Sequence, residues 1–204
     1  MAYTYLDELT TEGVIQAQRE NAAREQWEDF RGSREFTSFD ANAETFIASR
    51  DSLYIASNSQ SGWPYLQHRG GPVGFIKVLD DTTLGIADFR GNRQYITLGN
   101  SKADDRVSLF LMDYPRRKRL KILARMSVHD AADATLRERI VDAEYPGQVE
   151  RLLVFKLFAY DWNCPQHIVP RFTKEQLAPT LAEIEKQVAN LRKENEELRA
   201  KLAG

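Results

Sequence analysis

The stretch Gln67-His68-Arg69-Gly70-Gly71-Pro72-Val73-Gly74-Phe75 is the most unusual part of the chain, because three glycines and a proline stand where one extended segment passes into the next. Glycine has no Cβ and so allows a ligand to approach the backbone closely. His68 and Arg69 supply donors suited to a phosphate or a ring carbonyl, and arginine can bind an oxyanion in bidentate fashion. A β-bulge with solvated polar residues is the alternative interpretation.

Short β-prone segments separated by turn residues lie on both sides of this stretch. Residues 53–57 and 64–68 are joined by Asn58-Ser59-Gln60-Ser61-Gly62, which predicts a hairpin. Further strand candidates cover residues 75–79, 84–87, 107–113, 120–128 and 152–162. Regular short strands with turns between them indicate a barrel or a sandwich, so the predicted fold class is mainly β with helices, α+β.

Helical patterns flank the strand candidates. Residues 10–30 are mostly good helix formers and predict an N-terminal helix or helix pair that packs outside the β structure. A second helix is predicted from Asp40, as N-cap, to about Arg50. A third is predicted over residues 131–145, where Tyr145-Pro146-Gly147 would end it.

The C-terminal segment carries a strict heptad repeat behind a capping box formed by Thr173 and Gln176. The a positions are Leu181, Val188, Asn195 and Leu202, and the d positions are Leu177, Ile184, Leu191 and Leu198. Two facing Asn195 residues would fix the register and favour a parallel dimer, in which Glu194 at g meets Arg199 at e of the partner helix. The alternative is a single amphipathic helix docked on its own domain.

Composition places the 204-residue chain among ordinary globular proteins, with 42% hydrophobic and 28% charged residues. A net charge of -2 provides no general attraction to nucleic acid or to an anionic membrane. No apolar run approaches the roughly 20 residues of a bilayer-spanning helix. The only cysteine, Cys164, cannot form an intrachain disulfide, and the N-terminus has no signal pattern, so we expect a cytoplasmic location.

Patterns typical of several other functions are absent from the sequence. The three histidines are far apart and there is one cysteine, so we predict no protein-bound metal. A serine nucleophile elbow, a Walker phosphate loop and a dinucleotide fingerprint are also missing, which argues against hydrolase, nucleoside triphosphatase and Rossmann functions. The basic run Arg116-Arg117-Lys118-Arg119 is interpreted as a charged hairpin tip rather than an RNA-binding site.

Two further stretches concentrate polar side chains. Residues 88–94 followed by 95–100 predict a strand end, a tight turn and a short helix whose first amides could hold an anion. Gly91-Asn92 alone is only a turn signal, and Gly99-Asn100 alone is only a helix stop. Residues 161–172 form an irregular segment rich in side chains able to stack and hydrogen-bond.

Together and in this order, the three stretches resemble FMN-binding proteins related to pyridoxamine 5'-phosphate oxidase. The likeness covers roughly residues 35–172, between an N-terminal helical segment, 1–34, and a C-terminal coiled-coil dimerisation helix, 173–204. It implies a six-stranded antiparallel split β-barrel that forms a homodimer and holds flavin mononucleotide (FMN) in clefts at the subunit interface. The expected partner is therefore a second copy, joined through the barrel and through the parallel coiled coil.

The resemblance also implies which residues would contact the flavin. Beside the ring it implies Gln67, His68, Arg69, Gly70 and Gly71, with Lys77 and Val78 on the next strand. At the phosphate it implies Asn92, Arg93, Thr97 and Asn100, and from the partner subunit or the substrate side Trp162, Asn163 and Gln166. No catalytic side chain is implied, because FMN carries the redox chemistry.

By this resemblance we expect an FMN-dependent oxidoreductase that acts on an unknown small molecule, with NADH or NADPH as a candidate electron donor. The Arg-x-His signature that pyridoxamine phosphate oxidases carry near the C-terminus is missing, since Gln166-His167 and Arg171 are spaced differently. Oxidation of the vitamin is therefore not implied. A non-catalytic module that holds a flavin, haem or another cofactor and a dimeric scaffold are the alternatives.

Overall fold

Seven strands form one antiparallel sheet in a computed structural model that describes residues 4–28, 36–162 and 165–203. The strands are β1 Ser52–Asn58, β2 Pro64–Gly70, β3 Lys77–Asp80, β4 Thr83–Phe89, β5 Arg106–Asp113, β6 Lys118–Asp130 and β7 Val149–Trp162. Their order is β2-β1-β5-β6-β7-β4-β3, with β2 and β3 at the edges. The six strands implied by the resemblance were wrong, because the four-residue β3, which overlaps the strand candidate at 75–79, pairs with β4 at one edge.

The inward faces of the strands surround the main hydrophobic core, and a smaller cluster of Ala87, Ile140 and Leu152 lies apart from it. Strands β1 and β5 alternate between buried and more exposed residues, as expected of strands with one face on a core. The core cluster takes fully or almost fully buried residues from five strands: Ile55, Ile86, Leu109, Ile122 and Phe155. Arg69 on β2 lies 2.7 Å from Asp88 on β4, although these strands stand near opposite ends of the strand order, so the sheet curls into a barrel-like shape.

Seven helices lie within the described residues: α1 Thr4–Leu9, α2 Glu12–Glu20, α3 Arg24–Glu28, α4 Ala41–Ala48, α5 Ile96–Ser101, α6 Ala134–Ile140 and α7 Lys174–Leu202. The helix or helix pair predicted over residues 10–30 is a pair, α2 and α3, while α1 lies before this range and Phe30 lies outside the described part. The chain becomes extended at Thr11, and Ala22 adopts a left-handed φ of 53° that ends a helix. Thr11 thus separates α1 from α2, and Ala22 separates α2 from α3.

Helix α6 is shorter than the 131–145 that the sequence predicts. Asp133 caps it by accepting a hydrogen bond from the Leu136 amide at 3.0 Å. The helix ends before Val141, whose backbone is extended. The side chain of Asp142 then accepts a hydrogen bond from the Glu144 amide at 3.0 Å, a local turn that competes with continued helix.

Helix α4 begins where the sequence predicts. Asp40 accepts a hydrogen bond from the Ala43 amide at 2.7 Å, as an N-cap does. Arg50, just past the helix, forms an ion pair with Asp113 at the end of β5, with 2.7 Å between Nη2 and Oδ2. Because both side chains are buried, this pair ties the end of α4 to the sheet.

The chain divides into two compact units, Met1–Asp113 with Lys118–Pro165 and Tyr114–Arg117 with Gln166–Gly204. The second unit contains α7, which opens with the predicted capping box. The Gln176 amide donates to the Thr173 hydroxyl at 3.2 Å, and the Thr173 amide donates to the Gln176 side chain at 3.0 Å. Across the described residues, we find no helix with the length and apolar character needed to cross a membrane.

Candidate functional site

A polar cavity of about 310 Å³ lies between β2, the end of β4 and the loop that leads to α5. Strand β2 is at one edge of the sheet and β4 is near the other, so the curl of the sheet brings them together. The start of β7 completes the wall. The lining residues are Gln67, His68, Arg69, Gly70, Phe75, Ala87, Asp88, Phe89, Arg90, Gly91, Asn92, Arg93, Tyr95, Leu98, Glu150 and Arg151.

A buried carboxylate, Asp88, holds two arginine side chains in this cavity. Its Oδ1 lies 2.7 Å from Arg69 Nη1, and its Oδ2 accepts a hydrogen bond from Arg151 Nη1 at 3.1 Å. Antiparallel pairing of β4 with β7 places Asp88 directly opposite Arg151. Burial raises the pKa of the Asp88 carboxyl, while the positive charges of Arg69 and Arg151 act in the opposite direction.

A second carboxylate, Glu150, connects the loop between β4 and α5 to the start of β7. Arg151 Nη2 donates to Glu150 Oε2 at 2.6 Å, and the Tyr95 hydroxyl donates to the same oxygen at 3.1 Å. Arg93 Nε donates to the Tyr95 hydroxyl at 3.3 Å. Arg90 Nε lies 3.8 Å from Glu150 Oε1. The loop is thereby positioned by a chain of polar contacts.

The cavity is strongly positive although the chain as a whole is acidic. Four arginines and two carboxylates line it, which gives a local formal charge of +2 (4 - 2) against -2 for the whole chain. Arg69 Nε is buried and has no hydrogen-bond partner in the described residues. Arg93 and Tyr95 have left-handed φ values of 61° and 53°, a costly backbone conformation that is common at functional sites. The arrangement is suited to an anion.

Six of the site residues implied by resemblance line this cavity: Gln67, His68, Arg69, Gly70, Asn92 and Arg93. Thr97 and Asn100 are buried behind it. The Thr97 hydroxyl donates to Gln67 Oε1 at 3.1 Å, and Asn100 Nδ2 donates to the Ser57 hydroxyl at 3.0 Å. These two residues therefore anchor α5 to β2 and β1, and Thr97 orients the Gln67 amide.

Three other residues that the resemblance implies do not line this cavity: Lys77, Val78 and Trp162. Lys77 and Val78 are on edge strand β3, and Val78 packs against the core cluster. Trp162 packs edge-on against Phe46, with ring centroids 5.0 Å apart, and is roughly 35 Å along β7 from the cavity residues at its start. Gln166 belongs to the second compact unit, and Asn163 lies outside the described residues.

Gly71 has a packing role that the sequence did not reveal. A Cβ added to Gly71 would lie 2.7 Å from the Cβ of Phe75, which is buried. The Gly71 amide donates to the Asp51 carbonyl at 3.0 Å. The side chain of Phe75 thus fills the space beside Gly71. Gly74, with a φ of 81°, makes the turn that places Phe75 against this glycine.

Four residues of the cavity were not apparent as site residues from the sequence: Arg90, Tyr95, Glu150 and Arg151. Glu150 and Arg151 lie at the start of β7, far along the chain from Asp88, and only the strand pairing places them at the cavity. An Arg-Gly-Asn-Arg loop with a nearby tyrosine was visible in the sequence, but nothing in it indicated the partners of these side chains.

A second cavity, of about 320 Å³, lies over β1, β5, β6 and the end of α1. Its wall includes the apolar residues Val107, Ala124 and Phe158. Two arginines at this cavity already form ion pairs, Arg106 with Asp104 and Arg125 with Asp105. It therefore offers an anion two arginines, against four at the cavity around Asp88.

The sequence around this cavity matches a known protein family. A family model described as pyridoxamine 5'-phosphate oxidase matches residues 39–158, more than half of the chain. The chain belongs to the pyridoxamine 5'-phosphate oxidase family. The matched range begins before β1 and ends within β7, so it includes nearly the whole sheet and the cavity of this family member.

Solved structures with similar folds include an FMN-binding protein from Syntrophomonas wolfei, with 14% identity, a TM-score of 0.47 and coverage of 72% of this chain and 97% of that one. A protein from Clostridium acetobutylicum, related to general stress protein 26 of B. subtilis, has 11% identity, a TM-score of 0.46 and coverage of 67% and 94%. An FAD-binding protein from Mesorhizobium loti has 13% identity, a TM-score of 0.43 and coverage of 61% and 94%. Comparison with curated proteins gives no match.

Proposed function

We propose that this member of the pyridoxamine 5'-phosphate oxidase family binds FMN and acts as an oxidoreductase on a small molecule. The observation that carries the proposal is the cavity with four arginine side chains, two of which are held by the buried Asp88. Guanidinium groups bind phosphate through charge-assisted hydrogen bonds. The binding free energy is more favourable when the groups are already oriented, because less conformational freedom is lost. Family membership supports a flavin as the ligand that carries this phosphate.

The residues of the cavity fit the phosphate end of FMN. A phosphate monoester carries about two negative charges at neutral pH, which matches the local formal charge of +2. The volume of about 310 Å³ is at the lower end of ligand pockets. We infer that the cavity holds the phosphate and the adjoining chain, while the ring lies along β2, outside the enclosed volume.

The four arginines and Asp88 have separate roles in this proposal. Arg90 and Arg93, on the loop, donate N–H groups to the phosphate oxygens. Asp88 keeps Arg69 and Arg151 oriented, so that their positive charge is in place before the ligand arrives.

Gln67 and His68 serve the ring in this proposal. Thr97 donates to Gln67 Oε1, which leaves the Gln67 Nε2 amino group free to donate to a ring carbonyl. When bound, the flavin supplies the electron-transfer chemistry, and the protein supplies binding, orientation and hydrogen bonds.

A second copy of the barrel would cover the open side of the site. Three apolar side chains near the edge strand β2 are largely exposed, Trp63 at 77%, Leu66 at 63% and Val73 at 71%. Exposed apolar groups at a sheet edge favour a protein contact. We propose that the partner barrel packs here and that its own copies of Trp162, Asn163 and Gln166 close the flavin site.

The proposal is tested by comparing FMN with riboflavin, which has the same ring and lacks the phosphate. Fluorescence titration of the purified full chain should show FMN binding on the order of 100-fold more tightly, because two charge-assisted contacts are lost with riboflavin. Equal affinities would refute a phosphate site in the arginine cavity. Retention of a flavin spectrum after gel filtration provides an independent readout.

Turnover separates the oxidoreductase from a non-catalytic flavin module. We expect the FMN-loaded protein to oxidise NADH or NADPH in the presence of an electron acceptor, at a rate above that of free FMN. The matched control is the Arg93→Gln variant at an FMN concentration that restores full loading. Tight FMN binding without reduction by either donor would instead support the storage or sensing alternative.

A further inference from the structure

The a and d positions of α7 form a continuous apolar stripe that the flavin site does not use. No described residue of this 29-residue helix is buried. The apolar residues of the stripe are 40% to 88% exposed: Leu177, Leu181, Ile184, Val188, Leu191, Leu198 and Leu202. A contiguous apolar surface of this kind marks an interaction site, because leaving it in water is unfavourable.

The period of the stripe indicates what covers it. The repeat is seven residues without a break from Leu177 to Leu202, whereas a straight helix drifts by about 20° per heptad. A stripe with a strict seven-residue period stays on one side only if the helix supercoils around another helix. Pro179 occupies an f position, opposite the stripe, so the hydrogen bond that it cannot donate is lost on the outer face.

We propose that α7 pairs in parallel with α7 of a second copy of this chain, as a two-stranded coiled coil. Asn195 is the polar member of the stripe at an a position. In a parallel pair it faces its own copy and the two amides can hydrogen-bond. In an antiparallel pair, a positions pack opposite d positions, so Asn195 would face an apolar residue such as Ile184.

Charge complementarity supports the same partner and orientation. In a parallel pair, each g residue lies beside the e residue five positions later on the other helix. This places Glu194 beside Arg199 of the second copy, and Gln187 beside Arg192. The remaining pair, Thr180 with Glu185, has one neutral member, so no like charges meet along the seam.

This proposal does not depend on flavin binding. Its observations come from α7 alone, whereas the arginine cavity lies in the first compact unit. A coiled coil would hold two barrels at high effective concentration, so even a weak contact between them would be populated. A dimer could also form through the barrels alone, so a dimeric mass does not by itself test the helix, and the test must report on α7 directly.

Disulfide cross-linking of the full chain provides that report. Cys164→Ser removes the native thiol. In that background, Leu198→Cys places a thiol at a d position, where the two copies meet in a parallel pair. Ala200→Cys, at an f position of the same turn, points away from the seam and is the matched control. We expect Leu198→Cys to form covalent dimers at micromolar protein at least 10-fold faster than Ala200→Cys.

Four outcomes would overturn the proposal. Equal cross-linking rates for Leu198→Cys and Ala200→Cys would show that the d face is not a seam. Preferential cross-linking of Leu198→Cys with a Leu181→Cys copy would show an antiparallel pair. A light-scattering mass of one, three or four chains for the uncross-linked protein would exclude a two-stranded assembly. Ile184→Glu should slow the Leu198→Cys cross-link, and an unchanged rate would also count against the seam.

Discussion

Removal of the Arg93 charge tests the anion cavity without disturbing the core. Arg93 is exposed, and its Nε donates to the Tyr95 hydroxyl at 3.3 Å. Hydrogen bonding to this hydroxyl raises the pKa of Arg93, so the side chain is positive at any working pH. Arg93→Gln retains a polar side chain and deletes the charge, and we expect the fold to be unchanged.

The expected loss follows from a single charge-assisted hydrogen bond to phosphate. Such bonds contribute about 1.5 to 3 kcal/mol, and the exposure of Arg93 puts its contribution near the lower end. A loss of about 1.5 to 2 kcal/mol corresponds to FMN binding that is roughly 10- to 30-fold weaker. Riboflavin affinity should not change, because riboflavin has no phosphate, and the dependence of FMN affinity on salt should become shallower.

Flavin fluorescence titration of wild type, Arg93→Gln and a control variant measures these effects. Arg125→Gln is the control, because Arg125 is also an exposed arginine, paired with Asp105 at 2.6 Å, but lies away from the cavity around Asp88. Its FMN affinity should match that of wild type. FMN affinity that is unchanged in Arg93→Gln, or that falls equally for riboflavin, would refute the assignment of Arg93 to the phosphate.

Three further predictions concern stability and pH. Gly71→Ala should destabilise the fold by about 1 to 3 kcal/mol in urea denaturation, because the new methyl group would overlap the buried Phe75. Asp113→Asn should cost about 3 to 5 kcal/mol by leaving the buried Arg50 without its anionic partner. Burial, with a smaller contribution from Asp161, raises the pKa of Tyr5 to about 12, so its neutral form persists in the folded state. Between pH 10 and 12 the unfolded chain has lost this proton while the folded chain keeps it, so stability should fall as pH rises.

Matched variants check each of these results. Gly99→Ala has open space around its new methyl group and should leave stability unchanged or slightly higher. A Gly71→Ala protein as stable as this control would refute the packing role. Asp105→Asn, which breaks an exposed pair, should cost much less than Asp113→Asn. Tyr5→Phe should reduce the loss of stability between pH 10 and 12. An unchanged loss would show that other groups cause it.

Local signals in the sequence determined much of the secondary structure. Residues around all seven strands, the Asp40 cap of α4 and the Thr173 capping box were identified from patterns only a few residues long. Such patterns are readable because turn chemistry, capping and alternation act between near neighbours. The family resemblance rested on similar short stretches, and the match over residues 39–158 confirms it.

The arrangement of the cavity depended on contacts between distant parts of the chain. Asp88 and Arg151 are 63 residues apart, and only the register of β4 on β7 places them together. That register is set by burial of the strand faces in a common core, which no short pattern contains. The sequence by itself determined the polar stretches and the heptad repeat. The tertiary structure decided which charges converge, because strand pairing and the curl of the sheet bring together side chains that are remote in sequence.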